Sequence, residues 1–274
     1  MPVIESKDGT HIHVKSMGTG KPVILIHGWP LTGDMWEYQT VALVEAGFHV
    51  ITYDRRGFGS SAHPARGYDY DSFADDLAAV IDACTPDGAA LVGFSMGGGE
   101  IARYLGKYGS AKVAKAALIS TVVPYMLKTD DNPDGVPREQ LEDFKTQIRE
   151  DRFAFLQSLA KTLYGVGLVS SPVSQGLLDW TFALAIMASP IATMACVDAF
   201  GTTDFRPDLP AFADVPTLVI HGTSDKTVPI DATGRTAAKG IPHAQFIEYD
   251  GEPHGLFATA AERLNQDLIG FLRT

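Results

Sequence analysis

Gly93-Phe-Ser-Met-Gly97 is the stretch on which the fold turns. The apolar run 89–92 stands before it, and Glu100-Ile-Ala-Arg-Tyr-Leu105 follows with helical spacing. A strand, a tight turn with Ser95 at its apex and then a helix are the setting that a G-x-S-x-G nucleophile elbow requires. Crowding dictates the residue types. A side chain at the tip of so sharp a turn sits in strained backbone, so its neighbours must be small. Gly93 and Gly97 let strand and helix pass closely. The free N–H groups of the helix N-terminus then lie beneath Ser95 and favour negative charge there. In a chain with 27 glycines such a pentapeptide also arises by chance, so its surroundings decide.

Upstream, residues 10–15 alternate as a strand does, and Met17-Gly-Thr-Gly-Lys-Pro22 reads as a hairpin turn. Its Gly-Thr-Gly-Lys lacks the spacing of a phosphate loop. Residues 23–26 form a continuous apolar run, the mark of a strand buried on both faces, and end in His27-Gly-Trp-Pro30. A helix over about 35–46 closes at Gly47. Residues 50–53 are the next buried strand, and 71–84 is a helix with Phe73, Leu77, Val80, Ile81 and Cys84 on one face.

Downstream, residues 115–120 are a strand, and then the pattern changes. Residues 125–205 carry no convincing strand. After a loop rich in breakers at 130–137 come helical patterns near 138–150, 152–164, 174–188 and 191–200. Phe153, Trp180 and Met187 belong to an apolar content high for surface helices, which predicts faces buried over a cleft in the main domain. Strand and helix alternate again: strand 217–220, helix near 232–239, strand 244–249, helix 260–272. The expectation is one α/β domain over 1–274, a mostly parallel sheet flanked by helices, with a helical cap inserted over 125–205.

Composition narrows the function. A formal net charge of -11 argues against nucleic acid as a partner. Cys84 and Cys196 lie in apolar helical patterns and read as buried free thiols, not a disulfide or metal site. His11 and His13 share one face of a strand with no further ligand nearby, whereas zinc takes three or four, so no metal is expected. The first residues lack the basic and apolar regions of a secretory signal, and no apolar run reaches membrane-spanning length. The expectation is a cytoplasmic protein without a membrane partner.

Ligands of open α/β sheets gather beyond the C-terminal ends of the strands. Four strands here lead into candidate chemistry: His27-Gly-Trp, the Ser95 turn, His221-Gly-Thr-Ser-Asp225, and Asp250-Gly-Glu-Pro-His254-Gly. Ser95 alone is a poor nucleophile. A neutral His254 within reach takes its proton and later returns one to the leaving group, while Asp225 fixes the imidazole tautomer. Asp225 also has a plainer reading as a helix cap, which Asp231 shares. His27 and His221 close buried strands and read as structural. A tetrahedral intermediate needs two N–H donors. Met96 follows the nucleophile and Trp29 lies on the loop after residues 23–26, so their amides are the candidates for the oxyanion hole. Pro30 cannot donate, and it biases Trp29 towards an extended conformation.

His27-Gly-Trp-Pro-Leu with Asp34-Met-Trp36, Asp54-Arg-Arg-Gly-Phe-Gly-Ser-Ser61, Val92-Gly-Phe-Ser-Met-Gly-Gly-Gly-Glu100, Thr203-Asp-Phe-Arg-Pro-Asp208 and Val219-Ile-His-Gly-Thr-Ser-Asp225 together resemble the cofactor-free (non-haem) haloperoxidases and aryl esterases of the α/β-hydrolase fold. The likeness spans essentially the whole chain. It implies Ser95, Asp225 and His254 as catalytic triad, Trp29 and Met96 as oxyanion hole, and no metal, haem or other cofactor. It implies two activities from one site: water attacking an acyl-enzyme hydrolyses an ester, and hydrogen peroxide attacking it yields a peracid that oxidises halide. The partners are then a small ester or carboxylic acid and hydrogen peroxide. Trimers or pairs of trimers are the assemblies that the resemblance suggests.

Trp29-Pro30 resembles the perhydrolase-leaning members, with Pro30 setting the Trp29 carbonyl to accept a hydrogen bond from peroxide. Pocket candidates on the sheet side are Pro30, Phe94, Val228 and Leu256. On the cap side they are Met126, Phe144, Leu159 and Phe200. Ser95 argues against dehalogenases and epoxide hydrolases, which place Asp at the elbow. A hydroxynitrile lyase, a carbon–carbon bond hydrolase or a non-catalytic receptor for a small ligand keeps the same residues and stays open.

Overall fold

In the computed structural model, which describes residues 3–167 and 170–274, eight strands form one sheet. They are β1 (Val3–Glu5), β2 (His11–Met17), β3 (Pro22–Ile26), β4 (His49–Tyr53), β5 (Ala89–Phe94), β6 (Val113–Ile119), β7 (Thr217–Gly222) and β8 (Gln245–Tyr249). Their order across the sheet is β1-β2-β4-β3-β5-β6-β7-β8. β1 and β2 pair antiparallel, β2 also runs antiparallel to β4, and all other pairs are parallel. The six parallel strands therefore end on one edge. The strands at the centre are apolar almost throughout because helices cover both faces; β5 is buried at every position.

The turn at residues 17–22 is not a hairpin. β2 pairs with β4, Val14 standing opposite Tyr53, and β3 lies on the far side of β4. Burial explains the placement. β3 is apolar and covered along nearly its whole length and takes an inner position, whereas half-exposed β2 is tolerated nearer the edge.

Helices α1 (Glu37–Glu45), α2 (Tyr70–Cys84) and α3 (Met96–Tyr108) connect the first parallel strands. α4 (Arg138–Leu163), α5 (Gln175–Ile186) and α6 (Pro190–Thr202) lie between β6 and β7. α7 (Gly234–Gly240), α8 (Leu256–Thr259) and α9 (Ala261–Arg273) complete the chain. The sequence pattern of two helices near 138–150 and 152–164 corresponds to α4, which breaks at Asp151 (φ -154°, ψ 90°). Asp151 Oδ1 there accepts from Ala154 N at 2.9 Å, a cap for the second half.

Helices α4–α6 pack on one another and over the ends of the strands. Trp29 Nε1 donates to Thr193 O at 3.1 Å, and Ser189 N donates to Gly57 O at 2.8 Å, so α6 is tied to two of the sheet's loops. Their burial is one-sided. Phe153, Trp180 and Met187, expected to be covered, are exposed by 55%, 40% and 45%, because they stand on the faces turned away from the sheet. Cys196 is buried, Cys84 is half-buried, and both are free. Among the described residues no single helix is long and apolar enough to cross a membrane.

Candidate active site

Ser95 stands between β5 and α3 with φ 54° and ψ -115°, a backbone conformation costly for any residue but glycine. Neighbouring groups hold it there. Ser95 N donates to Ile119 O at 2.8 Å, and Gly98 N donates to Ser95 O at 3.1 Å. The close passage of strand and helix leaves no room for side chains: a Cβ on Gly93 would meet Gly97 C at 2.6 Å, and one on Gly97 would meet Ile26 O at 2.5 Å.

His254 reaches Ser95 from the loop between β8 and α8, with Nε2 3.0 Å from Ser95 Oγ. Its Nδ1 lies 2.6 Å from Asp225 Oδ2, beyond the end of β7. A carboxylate only accepts, so Nδ1 carries the proton and the Nε2 lone pair faces the serine hydroxyl. Asp225 is saturated with donors. Oδ1 accepts from the amides of Thr227 and Val228 at 2.9 and 2.8 Å. Oδ2 accepts from His254 and from His221 Nε2, 3.1 Å away. Burial alone would raise this carboxyl, but the two imidazoles outweigh it and hold the acid well below the ordinary carboxylate range. Asp225 thus both caps its own loop and faces the imidazole. His221, read as structural from its strand-end position, shares the carboxylate oxygen with His254, while its Nδ1 is buried without a partner.

Of the two residues expected to supply the oxyanion amides, Trp29 lines the same cavity as Ser95, and Met96 follows the serine directly. Met96 opens α3 and its N–H has no intrahelical acceptor. Trp29 N–H donates to no backbone carbonyl among the described residues. The Trp29–Pro30 peptide is cis.

A cavity of about 30 Å³ opens onto Ser95 and His254, room for roughly two water molecules. Trp29, Pro30, Met126, Phe144, Leu159, Phe200 and Val228 line it, as the sequence suggested. Phe94 and Leu256 do not. Phe94 is fully buried behind the site, its ring 4.8 Å from that of His254 and packed against Trp36 and Phe257, because the strand directs it to the side opposite the cavity. Leu256, also fully buried, faces the core from α8. Unanticipated wall residues include Leu31, Gln140, Thr181 and Thr227. A signal existed for Thr181: it is a hydroxyl within the otherwise apolar run 180–186 of α5.

Behind the site lies a charge cluster that sequence reasoning missed. Glu100 on α3 bonds the Arg55 guanidinium and the Tyr53 hydroxyl, all fully buried. Arg55 also donates to His27 O at 2.6 Å, and its amide donates to His27 Nε2 at 2.9 Å. Burial and the neighbouring guanidinium push His27 well below its usual range, so it stays neutral. Among the described residues no group of three or more His, Cys, Asp or Glu side chains is gathered as a metal site.

This arrangement suits acyl transfer: a nucleophile with an adjacent base, a fixed tautomer, unengaged amides and a mostly apolar pocket. Residues 21–261 match the family model described as alpha/beta hydrolase fold. The chain is 43% identical to a non-heme chloroperoxidase of Kitasatospora aureofaciens over 99% of both chains. It is 39% identical to a bifunctional esterase/perhydrolase of Acinetobacter calcoaceticus over the whole of both. The solved structure of a bromoperoxidase from Bacillus anthracis superposes with a TM-score of 0.95 at 44% identity, covering 100% of this chain and 99% of that one.

Proposed function

The chain belongs to the alpha/beta hydrolase fold family, in its non-haem haloperoxidase branch, and from that premise we propose a serine esterase that is also a perhydrolase. The observation that carries the reading is the continuous relay Ser95 Oγ to His254 to Asp225, at 3.0 and 2.6 Å, opening on an apolar pocket.

Ser95 Oγ attacks the ester carbonyl as its proton passes to His254 Nε2. The amides of Trp29 and Met96 stabilise the oxyanion, each contribution being worth on the order of a hundredfold or more in rate. Imidazolium then protonates the departing alcohol and leaves an acyl-Ser95. Water, deprotonated by His254, releases the acid and restores the serine. Hydrogen peroxide in the same place releases a peracid, which converts a halide ion and a proton to hypohalous acid and carboxylic acid in solution. Ionised Asp225 keeps the proton on Nδ1 throughout and favours the imidazolium. The oxidant is peroxide itself, so electrons balance without a further group.

Residues 125–205 act in this reading as a cap inserted in one domain spanning 1–274. Assembly into trimers or pairs of trimers rests in this reading on the family resemblance. Two free cysteines support a cytoplasmic setting. The test measures p-nitrophenyl acetate hydrolysis beside peroxide-dependent halogenation of monochlorodimedone in acetate buffer. A serine-directed organophosphonate should label Ser95 stoichiometrically, and the His254→Ala variant should escape labelling. Absence of both rates and of labelling overturns the proposal.

A further inference from the structure

The catalytic pocket does not end in the core. Leu31 and Thr181 line it, and the same two residues line a second cleft of about 10 Å³ on an adjoining face of α5. That cleft runs between Met35, Tyr38, Leu177, Trp180 and Phe257. Its outer rim is in water, with Tyr38 and Trp180 exposed by 46% and 40%. The two spaces are therefore separated by a wall about one side chain thick.

The wall is built, not incidental. Thr181 Oγ1 donates to Leu177 O at 2.8 Å, so it must accept from the Tyr164 hydroxyl 2.7 Å away. Both side chains are almost fully buried. Tyr164 in turn packs against Phe257, with ring centroids 5.9 Å apart, and the preceding Leu163 O accepts from Gly255 N at 2.7 Å, next to His254. The threonine is thus fixed in one position, and with Leu31 it stands between an apolar pocket and an apolar cleft.

Building on the esterase reading above, we propose that Thr181 is the specificity-determining stop for substrate length. Wild type takes esters whose arm towards α5 is short and apolar, and truncating Thr181 joins the pocket to the cleft and admits longer arms. The gain is a burial effect. Each methylene that passes the wall and leaves water should raise kcat/KM roughly fourfold, so two raise it about sixteenfold.

The experiment compares wild type, Thr181→Ala and Thr181→Leu on two series, p-nitrophenyl esters from acetate to octanoate and acetates from ethyl to octyl. Thr181→Ala should raise the long-to-short ratio of kcat/KM in at least one series, and Thr181→Leu should lower it in the same one. A general loss of stability cannot produce a gain on long substrates. Thr181→Ser, which keeps the hydroxyl bond and gives up only the methyl, should shift the ratio in the direction of Ala and serves if Ala does not fold. Ratios unchanged from wild type in both series overturn the proposal. If wild type hydrolyses no ester, it is the esterase reading that fails. Calorimetric titration with acetate and hexanoate then tests the wall alone: a selective gain for hexanoate in Thr181→Ala supports it, and equal changes for both acids reject it.

Discussion

Replacing Asp225 with Asn changes one oxygen to NH2 and reverses the logic of the site. The carboxylate accepts two backbone amides on Oδ1 and two imidazole N–H groups on Oδ2. An amide side chain can accept on only one of these sides, so its NH2 must face a pair of donors. Backbone amides of Thr227 and Val228 have no alternative state, whereas an imidazole can move its proton. The lower-energy arrangement turns the Asn oxygen to the backbone and its NH2 to the histidines. His254 then accepts on Nδ1 and carries its proton on Nε2, pointing at Ser95, and cannot act as a base. A wrong-tautomer site of this kind loses on the order of 10⁴ in kcat, about 5.4 kcal/mol of barrier. The assay is p-nitrophenyl acetate hydrolysis by wild type and Asp225→Asn, with circular dichroism to establish the fold and nitrogen-15 NMR of the imidazoles to read the tautomer. A folded variant that retains the Nδ1–H tautomer, or that keeps its rate within about tenfold of wild type, refutes the reasoning.

The same carboxyl predicts a pH signature. Its folded value lies below its unfolded one, so its stabilising contribution is complete above about pH 4 and is lost as pH falls towards the folded value; urea unfolding at pH 7, 4 and 3 should show the gap between wild type and Asp225→Asn closing with acid, and a constant gap contradicts the assignment. Glu100→Gln strips the countercharge from fully buried Arg55, which costs about 3–5 kcal/mol and on the order of 10 °C in Tm; an unchanged calorimetric transition would count against it. Gly97→Ala sets a methyl against Ile26 O at 2.5 Å, and chemical denaturation should register a loss of about 1–3 kcal/mol or more, with activity falling as the Ser95 turn is displaced. Pro30→Leu should lower the ratio of perhydrolysis to hydrolysis, read as monochlorodimedone halogenation over p-nitrophenyl acetate cleavage, and an equal ratio rejects the role of the Trp29 carbonyl.

What could be read in advance depended on how local the signal was. The buried strands β3, β5 and β7 announce themselves as apolar runs ending in Gly, His or Ser, and a turn that needs Gly93 and Gly97 carries its cause in its own spelling. Chain order then placed Asp225 and His254 beyond later strands. Pairing partners were less legible. Residues 17–22 have the composition of a hairpin, but β4 intervenes between β2 and β3, a choice made by sheet-wide burial and not by the turn. Pocket walls were the least legible, because a cap helix shows an apolar pattern whichever side faces the cavity. Phe144 lines the pocket, Phe153 faces solvent, and nothing within α4 distinguishes them until the break at Asp151 sets the second half's direction.

The charge cluster behind the site explains why Asp54-Arg-Arg-Gly accompanies the serine motif. Glu100 occupies the buried face of α3 with Gly97, Ile101 and Tyr104, a position where an unpartnered carboxylate is untenable. Arg55 supplies its countercharge from the loop after β4 and at the same time bonds the carbonyl and ring of His27 at the end of β3. Three elements are thereby tied at one point: the loop that carries Trp29, the end of β4, and the helix whose first amide belongs to Met96. The Tyr70 hydroxyl adds a fourth tie by donating to Met96 O at 3.2 Å. Two amides can stabilise an oxyanion only if their separation is set before the charge appears. An ion pair in the interior contributes little net stability, but its geometry is stiff, and here it spans the two halves of the candidate oxyanion hole. On this argument Glu100→Gln should lower kcat more than it raises KM, measured below its unfolding temperature, whereas a variant that is merely less stable should lose neither at that temperature.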